Sequence, residues 1–323
     1  MRSAAVYCVA DANVFIGAVA TINSLRLTGH DEPIYLLDCG LEEEQRLLLA
    51  QEATVLDAPE APTPHLLKHV APLAYPAASA LLIDVDVIVT GSLRPLFEGA
   101  LAGQVVAFAD ALSDRFDPRW SDLPGLGEIR RQPYVNSGLV ALPHQLGAEI
   151  LRMLATCVPA VDTSRSMVGR GNSSDPFFFL DQDVLNAILG SRVARHDLLV
   201  LDHRLAPHPP FRDVRIRDEA SLSCVYPDGT TPLALHHIQR KPWLQPTRST
   251  VYSRLLPRLL VASDLPLRLS PAELPLRLRA GTLAAMDRRR ADIHARWLRL
   301  RGRVGVRRRL ASLRRSDEVH PVV

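Results

Sequence analysis

The sequence predicts an α/β fold, a mostly parallel sheet flanked by helices, followed by a helical basic C-terminal extension. Three observations carry this. Short apolar runs alternate with helix-length segments along the first two thirds of the chain, the pattern of parallel strands joined by helical crossovers. Acidic and amide residues stand at the ends of those runs, where such sheets bind their ligands. Beyond about residue 245 the composition turns to Pro, Leu and Arg. That divides the chain into residues 1–245 and 246–323.

"AAVYCVA" (4–10) reads as the first buried strand, and "NVFIGAVATINSLRL" as a helix that is apolar nearly all round, as suits packing on a sheet. "PIYLLD" is the second strand. "LEEEQRLLLAQE" is a helix whose acidic first turn suits the positive end of its dipole. "TVLD" and "LLIDVDVIV" are the third and fourth strands, and "QVVAFAD" and "YVNSGLVAL" follow. "SRSMVGRGNSSD" (164–175) reads as a mobile loop. After it, Asp175 as N-cap and Pro176 just inside predict a helix through "DPFFFLDQDVLNAIL". "LLVLD" and "PLALHHI" are late strands. In "SPAELPLRL", Ser270 and Glu273 stand at capping-box spacing and predict a further helix start.

Of 323 residues, 47% are hydrophobic, enough for a sizeable core. Cys8, Cys39, Cys157 and Cys224 are scattered without a CxxC pair, which favours reduced thiols in the cytoplasm over a disulfide framework or a zinc site. The N-terminal apolar run is too short for a signal peptide and is interrupted by Asp11. No uncharged run reaches the roughly 18 residues of a spanning helix. Net charge is +3, yet residues 281–323 hold twelve Arg against four acidic residues, +8, which leaves about −5 elsewhere. The tail lacks interleaved aromatics, so nucleic acid is not an expected partner.

In "LLIDVDVIV", Asp84 and Asp86 lie two apart in an apolar run. On one strand they face the same side. Paired carboxylates raise each other's pKa unless a cation lies between them. A hard divalent ion with an incomplete protein shell, Mg or Mn, meets that need and leaves room for phosphate oxygens. The alternative is that the two residues cap the following turn.

The chain also resembles glycosyltransferase family 8, over roughly residues 4–243. "LLIDVDVIVTGSLRPLF" is similar to the family's DxD segment, "YVNSGLVAL" to its "fNaGvlll" strand, "LDQDVLNAIL" to its "DQDilN" helix, and "LHHIQRKPW" to its HxxGxxKPW ending. The four occur in the family's order. The resemblance implies a Rossmann-like GT-A fold and a retaining hexosyltransferase. It further implies a UDP-sugar donor, a Mn (or Mg) ion, and a glycan, lipid-linked or protein acceptor.

It also implies roles. Asp11 and Asn13 would contact uridine, although either equally suits a helix cap; the family's frequent aromatic is Val14 here. Asp84, Asp86 and His236 would hold the metal. His236 lies five residues before Lys241 where the family has six, and the usual Gly is absent, so His237 competes for the third ligand position. Lys241 would bind the diphosphate, and Lys68 falls where the family carries a cation near the donor. These two are the chain's sole lysines. Asn136, Ser137 and Asp181 would hold sugar hydroxyls, and Gln182 would lie near the anomeric carbon. Asp183 and Asn186 read as capping or supporting groups. A sugar-phosphate nucleotidyltransferase would carry a Gly-rich loop after the first strand, and "VADANVFIG" has none. The remaining alternative is a binding protein of the same fold that no longer turns over. In the tail, Ile293, Trp297, Leu300 and Val304 recur at helical spacing beside Arg289, Arg296, Arg299, Arg303 and Arg307. That pattern predicts a basic amphipathic helix and peripheral membrane contact.

Overall fold

The computed structural model describes residues 2–279, except 61–63, 170, 239 and 245–248, and a few positions between 285 and 293. β1 (Arg2–Ala10) enters the middle of the sheet and runs into α1 (Phe15–Leu27). β2 (Ile34–Asp38), α2 (Glu43–Leu49) and β3 (Ala53–Asp57) extend one edge. A short α3 (Val70–Ala74) leads to β4 (Ala77–Ile83). β5 (Val87–Val89), α4 (Arg94–Leu101), β6 (Val105–Ala109), β7 (Val135–Pro143), α5 (His144–Cys157), α6 (Asp181–Arg192) and β8 (Leu198–Leu201) follow. The seven strands lie in the order β3-β2-β1-β4-β7-β6-β8. All neighbours pair parallel except β7, which is antiparallel to both β4 and β6.

Beyond the sheet, β9 (Arg215–Asp218) and β10 (Ser223–Val225) form a hairpin. β11 (Ala234–His236) pairs antiparallel with β5, setting His236 opposite Val87. One core lies between the sheet and α1, α4 and α7 (Val251–Val261); the other lies under α5 and α6. α1 is buried along most of its length, as its uniform apolarity predicts.

Three local expectations change. "LLIDVDVIV" is not one strand. The chain leaves β4 at Ile83 and turns at residues 84–86: the Asp84 N–H donates to the Gly138 carbonyl (2.8 Å) and the Val87 N–H to the Asp84 carbonyl (3.1 Å). Val85 packs in the core, so the two carboxylates converge through a turn rather than through strand alternation. α6 begins at Asp181, five residues after Pro176. Asp175 instead accepts the Asn172 N–H (2.8 Å) and pairs with Arg165 (2.5 Å), closing the preceding loop on itself. At Ser270 the capping contact forms, with the Ser270 N–H donating to Glu273 Oε2 (2.5 Å), but residues 271–279 form no α-helix. Pro275 breaks the turn after it, and the chain gives a single 3₁₀ turn over Leu276–Leu278.

The composition boundary at 245 is not a break in packing. α7 starts at a capping box, Thr250 with Ser253, and buries Leu255, Leu256, Leu259 and Leu260 in the core shared with β1 and α1. Asn23 on α1 clamps it, donating to the carbonyls of Leu259 and Leu267, both at 2.7 Å. Of the amphipathic tail, all but Arg289 and Ile293 lies outside the described residues. No described helix is long and apolar enough to cross a membrane.

Candidate active site

The carboxyl ends of β1, β4 and β6 open into a cavity of about 610 Å³, lined also by the start of β7, the first residues of α6 and the end of β11. Because β1 and β6 lie on opposite sides of β4 in the sheet, the cavity has two ends, with the turn of Asp84 and Asp86 between them.

At that turn the ligand atoms of Asp84, Asp86 and His236 lie within 4.8 Å of one another, a grouping able to hold a metal ion. His236 Nε2 is 3.1 Å from Asp86 Oδ1 and 3.8 Å from Asp84 Oδ2. Its other nitrogen, Nδ1, is 2.9 Å from Asn136 Oδ1, which already accepts the Gly138 N–H at 2.9 Å. That oxygen is an acceptor, so Nδ1 carries the proton and Nε2 presents its lone pair to the aspartates. Asp86 Oδ1 is buried and accepts no hydrogen bond among the described residues. Two acceptors 3.1 Å apart call for a proton or a cation between them. Two carboxylates and an imidazole suit Mn or Mg, so these residues fit the metal that the sequence implies.

Glycine makes this convergence possible twice. A Cβ on Gly138 would stand 2.2 Å from His236 Cε1. A Cβ on Gly17, in α1, would stand 2.2 Å from the Val85 carbonyl and 2.7 Å from the Trp243 ring. Trp243 in turn donates from Nε1 to the Asn13 carbonyl (2.8 Å), tying the "KPW" stretch to the mouth of the cavity. His237 points the other way. Its N–H holds the Asp86 carbonyl (2.9 Å), while its ring packs against Phe211 and Tyr252. Of the two adjacent histidines, the structure brings His236 to the aspartates. Burial drives the His237 imidazole down to about 4.

Both lysines reach the turn. Lys241 Nζ contacts Asp86 Oδ2 and donates to the His237 carbonyl (3.0 Å). Lys68 bridges Asp84 Oδ1 (2.7 Å) and Asp181 Oδ2 (2.8 Å). Burial would raise the Asp86 carboxyl, but the Lys241 ammonium beside it outweighs burial and holds the carboxyl below its ordinary value. Burial likewise opposes charge on Lys68, and Asp181 and Asp84 more than restore it. Three carboxylates and two ammonium groups leave one negative charge. A divalent ion would reverse that sign, and an anionic ligand would then restore the balance.

Beyond the aspartates, Asn136 Nδ2 donates to Gln182 Oε1 (2.8 Å), as does the Ser137 N–H at 3.3 Å, while Ser137 Oγ bonds Asp181 (3.0 Å). Gln182 Nε2 donates to Asp110 Oδ2 (3.2 Å), so its amide is fixed from both sides. Asn186 pins the start of β7 through both backbone groups of Val135 (2.8 Å each). Asp183 is fully buried, held by Arg115 (2.7 and 2.9 Å), the Tyr134 hydroxyl (2.7 Å) and the Phe179 N–H (2.7 Å). Both hold neighbouring segments in place and neither lines the cavity. Asp11 lines the far end with Val14 and accepts the Asn13 and Val14 N–H groups (2.9 and 3.1 Å) through Oδ1. Asn13 is exposed and does not line the cavity.

Sequence reasoning missed two polar lining residues, as well as the apolar ones. Asp110 ends "QVVAFAD" and carried a readable signal, a carboxylate at the carboxyl end of a strand. His208 stacks edge-on against His236 (5.1 Å between ring centres) and is driven down to about 4 by burial. It lies between β8 and β9 in "APHPPF", which matches no motif, and only the tertiary fold brings it in.

No family model matches the chain, and no curated protein matches it. Solved structures do. The chain is similar to the galactosyltransferase LgtC in complex with donor and acceptor sugar analogues (17% identity, TM-score 0.52, 80% of this chain and 97% of that one). It is similar to an active-site mutant of LgtC in which a glutamine becomes glutamate (18%, TM-score 0.53, 80% and 97%). It is also similar to the glycosyltransferase GlyE of Streptococcus pneumoniae TIGR4 (18%, TM-score 0.50, 81% of this chain and 61% of that one). The central sheet and its helices match the GT-A fold of these glycosyltransferases, as the motif order implies.

Proposed function

We propose that the chain is a retaining, metal-dependent glycosyltransferase that moves a hexose from a nucleotide sugar, a UDP-sugar, to a glycan or lipid-linked acceptor. The observation that carries this is the meeting of Asp84, Asp86 and His236 with two lysines and the fixed amide of Gln182 in one cavity. The fold shared with LgtC, which binds donor and acceptor sugar analogues and has an active-site glutamine, supports the same reading.

On this reading the nucleoside lies at the β1 end against Asp11 and Val14. Lys241 and Lys68 turn from their aspartates to the diphosphate oxygens, a fitting task for compact ammonium groups. A divalent ion bound by Asp84, Asp86 and His236 supplies charge neutralisation for the leaving diphosphate. Asp181, Ser137 and Asn136 hold the sugar hydroxyls. The acceptor oxygen bonds to the anomeric carbon on the face from which the diphosphate leaves, and the hydroxyl proton passes to the departing phosphate oxygen. Gln182, its amide locked by Asn136 and Asp110, presents its carbonyl to the positive charge that grows on the sugar. Such a contact strengthens only as the reaction proceeds.

A panel of nucleotide sugars with Mn tests this without knowledge of the acceptor. One UDP-sugar is expected to be hydrolysed slowly, with loss of hydrolysis in EDTA and in Asp86→Asn. Gln182→Ala is expected to lower kcat by about 10²-fold with donor affinity nearly unchanged. Equal losses in both would make Gln182 a binding residue. UDP–Mn binding without turnover of any donor would favour the inactive binding protein.

A further inference from the structure

We infer that the acceptor carries a hydrocarbon chain close to its accepting sugar, and that a wall of Leu112, Met167, Val168, Phe178 and Phe179 receives it. The inference rests on the transferase reading above and names the class of its second substrate.

All five residues line the cavity. Leu112, Met167 and Val168 are nevertheless 46, 42 and 65% exposed. Single exposed apolar residues are ordinary, but several lining one cavity mark a ligand surface. The wall is built, not loose. The Met167 N–H donates to the Phe178 carbonyl (2.8 Å), and the Phe178 and Phe179 rings meet edge-on at 4.9 Å. The Arg115 guanidinium lies over Phe179, 5.0 Å from the ring centre.

Position selects the occupant. The nucleoside end, with Asp11 and Val14, belongs to β1, on one side of β4. Leu112 follows β6, and Phe178 and Phe179 lead into α6, whose Asp183 accepts the Phe179 N–H and whose Gln182 bonds Asn136 of β7 and Asp110 after β6; these strands lie on the other side of β4. The wall thus stands beyond the sugar-holding groups, where an acceptor must approach. A sugar ring seeks hydroxyl partners, which Asp110 and Gln182 offer there. Five apolar side chains offer none and gain free energy by covering apolar surface, of which a sugar ring has one C–H face and a hydrocarbon chain its whole length.

Calorimetry on the UDP–Mn-loaded chain tests this with n-octyl and methyl β-glucosides and β-galactosides below their micelle concentrations. At least one octyl glycoside is expected to bind about tenfold or more tightly than its methyl counterpart, the gain from burying a few methylenes. In Met167→Gln/Val168→Ser, both exposed positions, that preference is expected to fall below about threefold while UDP–Mn affinity and melting temperature hold. Equal binding of octyl and methyl forms, no binding of any octyl glycoside, or a preference that survives in the double variant would each overturn the inference and leave the transferase reading standing. Failure of UDP–Mn to bind at all would instead remove the transferase reading, and the inference with it.

Discussion

The wall that carries Asp84, Asp86 and His236 hangs from strands, whereas the facing wall of Leu112, Met167, Val168, Phe178 and Phe179 is made of turns. In the first, each functional group lies within a residue or two of a ladder: Asp84 follows β4, Asp86 precedes β5, and His236 ends β11. In the second, the described residues of 111–131 and 163–180 hold no strand and only short 3₁₀ turns. Side chains reaching backbone carbonyls hold it instead. Trp120 Nε1 bonds Pro176 (2.6 Å), Arg119 bonds Ser174 (2.9 Å), and Arg115 bonds Ser173, Asp175 and Pro176 (3.2, 3.0 and 3.3 Å). The strand-borne wall has its geometry fixed by the sheet. The tethered wall depends on a few cations, and the two can be separated by mutation.

Arg115→Met is the sharpest separation. It removes the tether of the apolar wall and leaves the fully buried Asp183 without its guanidinium. Breaking a buried ion pair from one side costs about 3–5 kcal/mol, to be read as a lower urea midpoint. The surviving folded protein is expected to bind UDP–Mn within about threefold of the parent but to lose transfer. Equal loss of both would mean that the two walls are one cooperative unit.

Gly138→Ala attacks the other wall with one methyl group. The Cβ would meet the His236 ring at 2.2 Å, and neither β7 nor β11 can shift without breaking its ladder. Displacing the imidazole by about 1 Å is enough for roughly 10²-fold in rate, with about 1–3 kcal/mol of overpacking. Mn-dependent stabilisation by UDP is expected to vanish with the activity. If the variant keeps both, His236 is not needed for the metal.

How much of this was legible follows the same division. The sheet and the strand-borne residues could be read because each depends on local apolar runs and on motifs a few residues long. Even there, the turn at Asp84–Asp86 was hidden: nothing local distinguishes "LLIDVDVIV" from one continuous strand, and the break is made by Gly138 and His237 holding the turn from elsewhere in the chain. The start of α6 was misplaced because Asp175 and Pro176 satisfy the rules for a helix start. Tertiary contacts to Arg165 and Arg115 recruit that stretch into the loop instead, and Leu180 enters the helix at φ +47, a conformation no propensity rule expects of leucine. The apolar wall and His208 were not legible, since the partners that orient them lie tens of residues away.

His237 gives the smallest effect and the finest test of the boundary between site and core. Its neighbour His236 faces the metal position, while His237 packs on Phe211 and Tyr252 (ring centres 5.9 and 4.9 Å). Burial lowers its pKa to about 4, against about 6.5 in the unfolded chain. A histidine lowered on folding binds fewer protons folded than unfolded between those two values. Its contribution to stability is therefore fully present above about pH 6.5 and is lost as pH falls toward 4. At pH 5 that loss amounts to about 2 kcal/mol relative to pH 7.5. Between those two pH values, His237→Phe is expected to lose about 2 kcal/mol less stability in urea unfolding of the metal-free chain than the parent, with UDP–Mn binding at pH 7.5 unchanged. A variant that loses metal-dependent binding while its acid sensitivity stays at the parent's level would reverse the assignment of the two histidines, and with it the register of β11 against β5.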